Sequence, residues 1–315
     1  MCACGNNKVN PLVSILILSY KNLDGIFTTL DSILAQDYPN IEIVISDDGT
    51  PGFEEYAPLL VAHVEKHSEP RRSLVLNPIK VNAGTVKNVN SAIRLAHGRY
   101  IKTISPDDAF SVDCAISDYV KFMEENDYLV CFAKMRGLGE DGTVYRNLAA
   151  CETNYDLLAT LSPKEILDRL YARNFLPGAA EFFDQRVFSE YGLFDERICL
   201  IEDYSYWLHL ARNNVRFGFL DKTLIDYSLS GVSSSGSYST LFMEDMANIY
   251  ERYIFPFDNR YGVFQPVYNS LKKRGLNYYY EKAQMDDKTH FQRALFVIRY
   301  LPYCVYTRFA NGNKL

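Results

Sequence analysis

The first apolar run of the chain is Leu12-Val13-Ser14-Ile15-Leu16-Ile17-Leu18, which is rich in branched aliphatic residues and ends at Ser19-Tyr20. A run of this kind is typical of a strand that is buried on both faces of a parallel sheet. Apolar residues then recur at three- and four-residue spacing from Leu23 to Ala35, which predicts a helix that packs one face on the sheet. The next run, Ile41-Glu42-Ile43-Val44-Ile45, predicts a second strand.

Two further strands and a helix follow in the same pattern. Leu74-Val75-Leu76 predicts a third strand, and an amphipathic segment that ends at Ala96 predicts a helix. Gly98 is expected to be the C′ residue of that helix, since glycine adopts the left-handed conformation without steric cost. Tyr100 to Ile104 predicts a fourth strand. Strands that alternate with helices predict an α/β fold with a mainly parallel sheet and helices on both faces.

Polar loops follow the predicted strands. Ser46-Asp47-Asp48-Gly49-Thr50 comes after the second strand, and Ser105-Pro106-Asp107-Asp108 comes after the fourth. Ligands of such sheets bind at the carboxyl ends of the strands, and two adjacent carboxylates there can hold a divalent cation that in turn holds a diphosphate. The same residue types are common in tight turns and helix caps. The local chemistry therefore leaves both a turn and a metal site open.

Five short motifs, in their order and spacing, resemble the nucleotide-sugar domain of family-2 glycosyltransferases, which have the GT-A fold. The resemblance implies a mostly parallel central sheet flanked by helices over residues 11–235, with a nucleotide-sugar half at 11–110 and an acceptor half at 111–235. It leaves residues 1–10 as a disordered start and residues 236–315 as a helical C-terminal extension. The motifs are Val13-Ser14-Ile15 with Ser19-Tyr20-Lys21-Asn22, Asp47-Asp48-Gly49-Thr50, Asn82-Ala83-Gly84 with Asn88, Ala96-His97-Gly98-Arg99-Tyr100-Ile101, and Asp107-Asp108.

The resemblance assigns residues to the donor side of a site. Ser19, Tyr20 and Asp48 would hold the nucleotide base and ribose, and a carboxylate suits this task because it accepts hydrogen bonds from an imide N–H or a ribose hydroxyl. Lys87 and Asn88 stand where the family often has Arg-Asn, so Lys87 would contact the diphosphate or the sugar as a point charge. A solvated helix lysine is the alternative for Lys87.

The resemblance also implies a divalent metal ion. Asp107 and Asp108 match the acidic metal-binding motif of the family, commonly Asp-x-Asp-Asp, although Ser105 stands in place of its first Asp. Asp108 would be the direct ligand of Mn²⁺ or Mg²⁺, and Asp107 would reach the ribose or a second metal position. The cation would neutralise the departing diphosphate.

The acceptor half is expected to supply the catalytic base. In the family, the second acidic residue of a pair like Glu202-Asp203 deprotonates the acceptor hydroxyl. The resemblance therefore implies that Asp203 is the base, with Glu202 on the acceptor side, and that displacement proceeds with inversion. Acidic residues also favour any helix N-terminus because of the macrodipole, and the two interpretations are compatible. Trp207, the only tryptophan, would either stack on a sugar ring or pack in the core.

The segment from Asp226 to Ser233 departs from the family pattern. Ser228 and Ser230 replace the usual Arg and His, which leaves open how a third metal position is filled. The serine-rich residues 233–237 are expected to form a flexible lid over the donor.

Composition narrows the classes of function. A chain of 315 residues with 48% hydrophobic content can bury a large core, and its net charge of -6 argues against nucleic-acid binding. Seven cysteines at irregular spacing do not indicate a disulfide framework. No signal peptide is expected before Leu12, and no apolar run reaches the length of about 18 residues that predicts a membrane span. We therefore expect a cytoplasmic enzyme, either free or peripheral on the cytoplasmic membrane face.

The C-terminal residues 290–308 are aromatic and basic, and no acidic residue follows Asp287. This pattern leaves three interpretations open: a helix in the membrane interface, a helix that packs on the catalytic domain, and a contact in an oligomer such as a dimer. Pro302 is expected to break or kink the helix. The membrane interpretation would favour a lipid-linked glycan acceptor, as in surface polysaccharide assembly.

The sequence is thus interpreted as an inverting, metal-dependent glycosyltransferase. Its donor would be a nucleotide-diphosphate sugar, with UDP-sugar favoured by family frequency, and its acceptor a glycan or lipid-linked glycan hydroxyl. The alternative is a non-catalytic nucleotide-sugar- or glycan-binding relative, since Ser105, Ser228 and Ser230 stand at commonly functional positions. A dinucleotide-dependent oxidoreductase is disfavoured because no Gly-x-Gly-x-x-Gly follows the first strand.

Overall fold

The structure is a computed structural model that describes residues 10–67, 72–139, 143–145, 158–229, 239–283 and 288–311. The chain divides between residues 231 and 232 into two compact units, an α/β unit and a helical unit. The strands of the described residues are β1 (Val13–Ser19), β2 (Ile41–Asp47), β3 (Ser73–Pro78), β4 (Tyr100–Ile104), β5 (Ala109–Phe110), β6 (Val130–Leu138), β7 (Val144–Tyr145), β8 (Glu181–Asp184) and β9 (Phe217–Ser228). The α-helices are α1 (Gly25–Leu34), α2 (Phe53–Lys66), α3 (Thr85–Leu95), α4 (Ala115–Asn126), α5 (Pro163–Ala172), α6 (Arg186–Tyr191), α7 (Glu202–Arg212), α8 (Thr240–Ile249), α9 (Gln265–Ala283) and α10 (His290–Asn311).

The strands form one sheet in the order β3-β2-β1-β4-β8-β6-β9-β5, and β7 pairs with β6. β1 to β4 are parallel to one another, whereas β8 runs antiparallel to both β4 and β6. The chain passes from β1 to β2 and β3 on one side and later to β4 on the other, so the topological switch point lies between β1 and β4. The predicted α/β fold with a mostly parallel sheet flanked by helices is confirmed.

The central strand β1 is buried on both faces, as its apolar run predicts. Ile15, Leu16 and Ile17 are fully buried although neighbouring side chains point to opposite faces of the sheet. Helix α1 covers one of these faces with the side chains of Ile26 and Leu30, which are also fully buried. The core therefore holds the carboxyl end of β1 firmly at the switch point.

Gly98 does not have the predicted role of a left-handed helix C′ residue. Helix α3 ends at Leu95, Ala96 is extended, and Gly98 is not among the described residues with positive φ. Instead, the Gly98 N–H donates a hydrogen bond to Ser14 Oγ at 2.8 Å. A Cβ at Gly98 would lie 2.5 Å from the Ser14 backbone nitrogen. A glycine is needed here because the connection from α3 to β4 passes directly against β1.

The helical unit is built on aromatic packing. Helix α8 begins after Ser239, whose Oγ accepts a hydrogen bond from the Phe242 N–H at 3.2 Å, and it continues as a π-helical turn at Tyr250–Ile254. Helices α9 and α10 pack on each other through Tyr278, whose ring centroid lies 5.2 Å from that of Phe296.

Helix α10 continues through Pro302, contrary to the predicted break. Proline removes only one backbone donor, so the hydrogen bonds on either side of it can keep the helix continuous. Over the described part of the chain, no helix combines the length and the apolar character that crossing a membrane requires.

Candidate active site

Three loops meet at the carboxyl edge of β1, β2 and β4. The Asp48 N–H donates to the Ser19 carbonyl oxygen at 2.8 Å, and the Lys21 N–H donates to Thr50 Oγ1 at 2.8 Å, so the β1 and β2 loops are joined. Asn22 Nδ2 donates to a carboxylate oxygen of Asp107 at 2.6 Å and joins the β1 loop to the β4 loop. The structure thus brings together the loops that the sequence placed at one edge of the sheet.

Asp48 holds a neighbouring loop, and its predicted contact with the nucleotide stays a prediction. One of its carboxylate oxygens accepts the Ala83 N–H at 2.8 Å and the other accepts the Gly84 N–H at 2.9 Å. The side chain is buried, with 2% exposed. A carboxylate that is enclosed and bonded to two backbone donors is a clamp on the 82–84 loop, because little of it is left for a ligand to reach.

Asn88 is likewise internal to the fold, and Lys87 is not. Asn88 is buried, accepts a hydrogen bond from Ser46 Oγ at 2.5 Å and donates to the Ser46 carbonyl oxygen at 3.1 Å, so it fastens α3 to β2. Its predicted role in donor binding stays a prediction. Lys87 is exposed on the first turn of α3. Hydrogen bonds from Asn90 and Arg94 lower the pKa of Glu196, and the charge of Lys87 adds a smaller effect in the same direction.

Ser19 and Tyr20 offer groups that a ligand can use. The Ser19 hydroxyl is buried and, among the described residues, has no hydrogen-bond partner. Tyr20 is 44% exposed, and Lys21 Nζ lies 5.0 Å from the centroid of its ring. An exposed aromatic face beside a cation is a suitable platform for a planar, anionic ligand.

Asp107 has an unusual backbone conformation, and its carboxylate packs closely against a glycine on α1. Its φ is 72°, in the left-handed region that few residues other than glycine adopt. A Cβ at Gly25 would lie 2.3 Å from a carboxylate oxygen of Asp107, so only glycine allows this approach. Sequence reasoning missed Gly25 and the bond from Asn22, because both act across more than 80 residues of chain.

Asp108 is more enclosed than its neighbour. It is 3% exposed, and one of its carboxylate oxygens accepts the Ser228 N–H from β9 at 2.8 Å. Burial raises its pKa to about 7, although the Ser228 N–H and the Lys102 charge act in the opposite direction. Its backbone carbonyl accepts a hydrogen bond from Thr29 Oγ1 on α1 at 2.8 Å, which fixes the loop.

The donor set at Asp107 and Asp108 fits one mode of metal binding. Among the described residues, no group of three or more His, Cys, Asp or Glu side chains is arranged to hold a metal ion. Mg²⁺ is commonly bound by one or two carboxylates together with substrate phosphates, and two adjacent carboxylates satisfy that requirement. The residues therefore fit a cation that shares its coordination with a diphosphate, and they do not form a complete protein cage.

Asp203 stands in the first turn of α7, as predicted for Glu202-Asp203. Its carboxylate accepts hydrogen bonds from Asn174 Nδ2 at 2.9 Å and from the Tyr204 N–H at 2.6 Å, and the Gly178 N–H also bonds to it. Burial nevertheless raises its pKa to about 6. The sequence analysis did not identify Asn174 as a partner of Asp203. The only indication in the sequence is that Asn174 shortly precedes Pro177-Gly178, a pair typical of a turn.

Trp207 packs in the core, which is one of the two roles predicted for it. It is 1% exposed, its Nε1–H donates to the Leu176 carbonyl oxygen at 3.2 Å, and its ring centroid lies 5.0 Å from that of Phe132. A buried ring cannot offer its face to a sugar. Its edge lines a cavity of about 10 Å³ beside Asp203, which has room for roughly one water.

A buried ion pair behind this cavity was missed from the sequence. Lys102 Nζ on β4 lies 3.5 Å from Glu181 Oε1 on β8, and both side chains are buried. A lysine within the apolar strand Tyr100 to Ile104 was the available signal, because a buried ammonium group requires a counter-charge. Its partner is 79 residues away and cannot be read from local sequence.

Three sequence expectations lie outside the described residues. The predicted disordered start, residues 1–10, falls on residues 1–9, which the structure does not describe. Ser230 and the serine-rich residues 233–237 belong to residues 230–238, which the structure does not describe. Ser228 is described, and its backbone rather than its hydroxyl bonds to Asp108.

Curated proteins with similar sequences are glycosyltransferases. An uncharacterized glycosyltransferase of Haemophilus influenzae is 23% identical over 268 residues, which cover 83% of this chain and 79% of that protein. The putative colanic acid biosynthesis glycosyl transferase WcaA of Escherichia coli is 30% identical, over 65% of this chain and 67% of that protein. The UDP-Glc:alpha-D-GlcNAc-diphosphoundecaprenol beta-1,3-glucosyltransferase WfaP of Escherichia coli is 34% identical, over 36% of this chain and 41% of its own length.

Solved structures agree on the fold. S. aureus TarS 1-349 in complex with UDP-GlcNAc has a TM-score of 0.58 and 17% identity, and the match covers 96% of this chain and 92% of that one. The mannosyltransferase PcManGT of Pyrobaculum calidifontis, in complex with GDP-Man and Mn²⁺, has a TM-score of 0.56 and 17% identity, over 95% and 84% of the two chains. These likenesses establish the GT-A fold.

The family itself follows from the sequence match. The model of glycosyl transferase family 2 matches residues 14–192, which is more than half of the chain. That range includes the β1, β2 and β4 loops and the β8 strand. The chain therefore belongs to glycosyl transferase family 2.

Proposed function

We propose that this chain is an inverting, divalent-metal-dependent glycosyltransferase. It transfers a sugar from a nucleotide-diphosphate sugar, with UDP favoured, to a hydroxyl of a glycan or lipid-linked glycan in surface polysaccharide synthesis. The observation that carries the proposal is the meeting of the β1, β2 and β4 loops at the switch point, with Asp107 and Asp108 in the β4 loop. Ligands of such sheets bind at this edge.

The donor is held by the β1 and β4 loops. Tyr20 lies against the nucleotide base, the free hydroxyl of Ser19 bonds to the nucleotide, and Lys87 contacts the diphosphate or sugar. Asp48 supports the donor site indirectly, because its hydrogen bonds hold the 82–84 loop in place. Asp107 and Asp108 hold the cation, which supplies positive charge to the departing diphosphate. The Mn²⁺ in the PcManGT complex supports this assignment.

Asp203 is the base. Its carboxylate is partly buried, is oriented by three hydrogen bonds and has a pKa raised to about 6. It accepts the acceptor proton late, while the bond to the anomeric carbon is forming, so a pKa far below that of a sugar hydroxyl is sufficient. A single base on the face opposite to the diphosphate gives inversion. Glu202, the adjacent residue, lies on the acceptor side.

The acceptor is a glycan of a surface polysaccharide, carried on a lipid. The names of WcaA and WfaP, which refer to colanic acid biosynthesis and to a diphosphoundecaprenol acceptor, support this choice. A lipid-linked acceptor requires that the enzyme work at a membrane surface. We therefore propose a cytoplasmic enzyme that is peripheral on the cytoplasmic membrane face.

Helix α10 supports the membrane contact. Phe291, Leu295 and Ile298 share one helix face at i, i+4 and i+7 spacing and are 73%, 49% and 70% exposed, whereas Tyr300 on the opposite face is 1% exposed. Arg293 and Arg299 belong to the same helix, and no acidic residue follows Asp287. An apolar face with basic neighbours suits an anionic lipid surface, such as the cytoplasmic leaflet.

Cosedimentation with vesicles tests the membrane contact. Anionic vesicles should bind the protein and neutral vesicles should not. Ile298→Glu should abolish the binding, whereas Val263→Glu, at a more exposed apolar residue of the same unit, should leave it unchanged. Equal binding by Ile298→Glu would contradict the contact. If Ile298→Glu instead turned a dimer into a monomer, the face would be an oligomer contact.

Thermal stabilisation by nucleotides tests the donor site. A ligand at about 100 times its Kd adds about 2.7 kcal/mol to the free energy of unfolding, so its binding raises the Tm by several degrees. We expect UDP or a UDP-sugar to give this shift only with Mn²⁺ or Mg²⁺. Asp108→Asn should lose the metal-dependent part, and the exposed-residue control Glu190→Gln should keep it. Binding without transfer to any glycan would favour the non-catalytic alternative.

A further inference from the structure

Glu181 is buried at the start of β8 with an unused carboxylate oxygen. It is 1% exposed, and its Oε1 accepts hydrogen bonds from Thr103 Oγ1 at 2.5 Å and from the Thr103 N–H at 3.3 Å. Its other oxygen, Oε2, is buried and has no hydrogen-bond partner among the described residues. Leaving a charged acceptor buried and unpaired is unfavourable, so a group outside the protein is expected to bond to it.

Lys102 gives Glu181 its counter-charge but does not use this second oxygen. Lys102 Nζ lies 3.5 Å from Oε1 and also donates to the Ala179 carbonyl oxygen at 2.9 Å and to the Thr103 carbonyl oxygen. Burial lowers the pKa of Lys102 and raises that of Glu181, while their mutual attraction opposes both changes. The pair is therefore strongly desolvated, with Oε2 as its open hydrogen-bonding position.

The cavity of about 10 Å³ joins Glu181 to the base. Asp203, Glu202 and Thr103 line it together with Glu181, and its remaining walls are mainly apolar, formed by Val89, Phe183, Phe194 and Trp207. This volume suits one water, and a buried water requires two or more polar partners. The two carboxylates of Glu181 and Asp203 meet that requirement.

We propose that one water in this cavity bridges Glu181 Oε2 and the Asp203 carboxylate, so that Glu181 is a positioning residue for the base. The water donates one hydrogen to each carboxylate and no proton is transferred. It holds Asp203 in the orientation that faces the acceptor, and it places two carboxylates in one desolvated site. The inference rests on the proposed role of Asp203 as the base.

The charged groups around the water determine how Glu181 affects the ionisation of Asp203. Glu181 faces Lys102 and Thr103 on β4, Cys131 on β6, and Glu202 and Asp203 on α7, while Asp108 acts on Lys102 from the β4 loop. The Glu181 carboxylate opposes ionisation of Asp203. Removing its charge leaves Lys102 on that side, which favours ionised Asp203. In Glu181→Gln both effects lower the pKa of Asp203, whereas removing the Lys102 charge as well takes away the second effect.

Two variants separate positioning from ion pairing. Glu181→Gln keeps the shape but removes the charge and leaves Lys102 unpaired, which endangers the fold. The double variant Lys102→Met/Glu181→Gln removes both charges, and such replacements of a buried pair are often tolerated. We expect the double variant to keep a Tm near that of the wild type. Its kcat should fall about tenfold with donor Kd unchanged, because the water no longer orients Asp203. The acid limb of its pH–rate profile should stay near that of the wild type, because the two charges removed act on Asp203 in opposite directions, whereas the acid limb of folded Glu181→Gln should move down.

The outcomes decide between the two roles. A double variant with wild-type kcat would show that Glu181 only balances Lys102, and would overturn the proposal. If neither variant folds, a high-resolution crystal structure of the wild type decides, because the cavity must contain a water within hydrogen-bond distance of both carboxylates. An Asp203→Asn variant that still transfers sugar would refute the proposed base itself, and that result is distinct from a failure at Glu181.

Discussion

The β2 loop on the donor side and the base-side cavity of the α/β unit use their buried carboxylates in opposite ways. On the donor side, both oxygens of Asp48 accept backbone N–H groups, and both oxygens of Asp47 accept hydrogen bonds from Thr50. On the base side, Glu181 keeps a buried oxygen without a partner among the described residues, and burial raises the pKa of Asp203. Carboxylates with fully bonded oxygens hold loops, whereas those with raised pKa values or unused oxygens are candidates for chemistry.

The base-side assignment predicts the largest effect. Asp203→Asn removes the proton acceptor while its shape is kept, so kcat should fall by about 10³-fold, within the range for loss of a general base. Donor affinity, measured by titration calorimetry with UDP-sugar and Mn²⁺, should be unchanged. Glu190→Gln, an exposed carboxylate of the same half, is the control and should retain full activity. Transfer at the normal rate by Asp203→Asn would remove Asp203 from the mechanism.

The donor-side clamp predicts a change in stability together with a change in binding. Asp48→Asn places an amide NH₂ against a backbone N–H and loses one charged hydrogen bond, so the free energy of unfolding should fall by about 2 kcal/mol. The donor KM should rise because the 82–84 loop is no longer fixed. Denaturant unfolding and initial rates measure the two effects.

The alternative role of Asp48 gives a different pair of results. If Asp48 contacts the nucleotide directly, Asp48→Asn should weaken donor binding without loss of stability. Asp47→Asn is the matched control. It weakens the hydrogen bonds that Asp47 accepts from Thr50 within the turn 47–50, and it should leave the 82–84 loop in place.

The difference between the two sides also explains what the sequence could predict. The spacing of apolar residues along the chain predicts the order of strands and helices. The predicted start of α7 at Glu202-Asp203 is confirmed. The roles of Asp48, Gly98 and the Lys102–Glu181 pair depend on partners 35 to 84 residues away in the chain. Local patterns therefore identify the edge that carries the site, while long-range hydrogen bonds decide which polar residues remain free to act.

The raised pKa of Asp203 predicts the pH dependence of transfer. Protonated Asp203 cannot accept a proton, so kcat should rise with pH through about 6 and be level above it. At pH 5 the rate should be about one tenth of the plateau, because the ionised fraction there is about one tenth. A pH–rate profile under donor saturation measures this limb. A limb near pH 4 would mean that Asp203 is more solvated than the structure indicates.

The same pKa shift has a consequence for stability. A folded-state pKa above the unfolded value of about 3.9 means that the folded protein binds the proton more tightly, so this contribution is full below pH 4 and is lost as pH rises through about 6. Asp203→Asn removes the dependence. Its stability relative to the wild type should therefore be higher at pH 8 than at pH 4, as measured by urea unfolding at the two pH values.

The smallest predicted effect tests how closely the base is held. A Cβ at Gly178 would lie 3.2 Å from Asp203 Cβ and 3.5 Å from one of its carboxylate oxygens, so Gly178→Ala should displace the carboxylate by a few tenths of an ångström. We expect kcat to fall about fivefold with donor Kd unchanged, since small misplacements of a reacting group lower the rate without affecting binding elsewhere. Gly218→Ala crowds Tyr128 and Phe122 instead, so it should lower the Tm and leave kcat near the wild-type value. Equal kcat losses in both variants would mean that general destabilisation, rather than the position of Asp203, limits the rate.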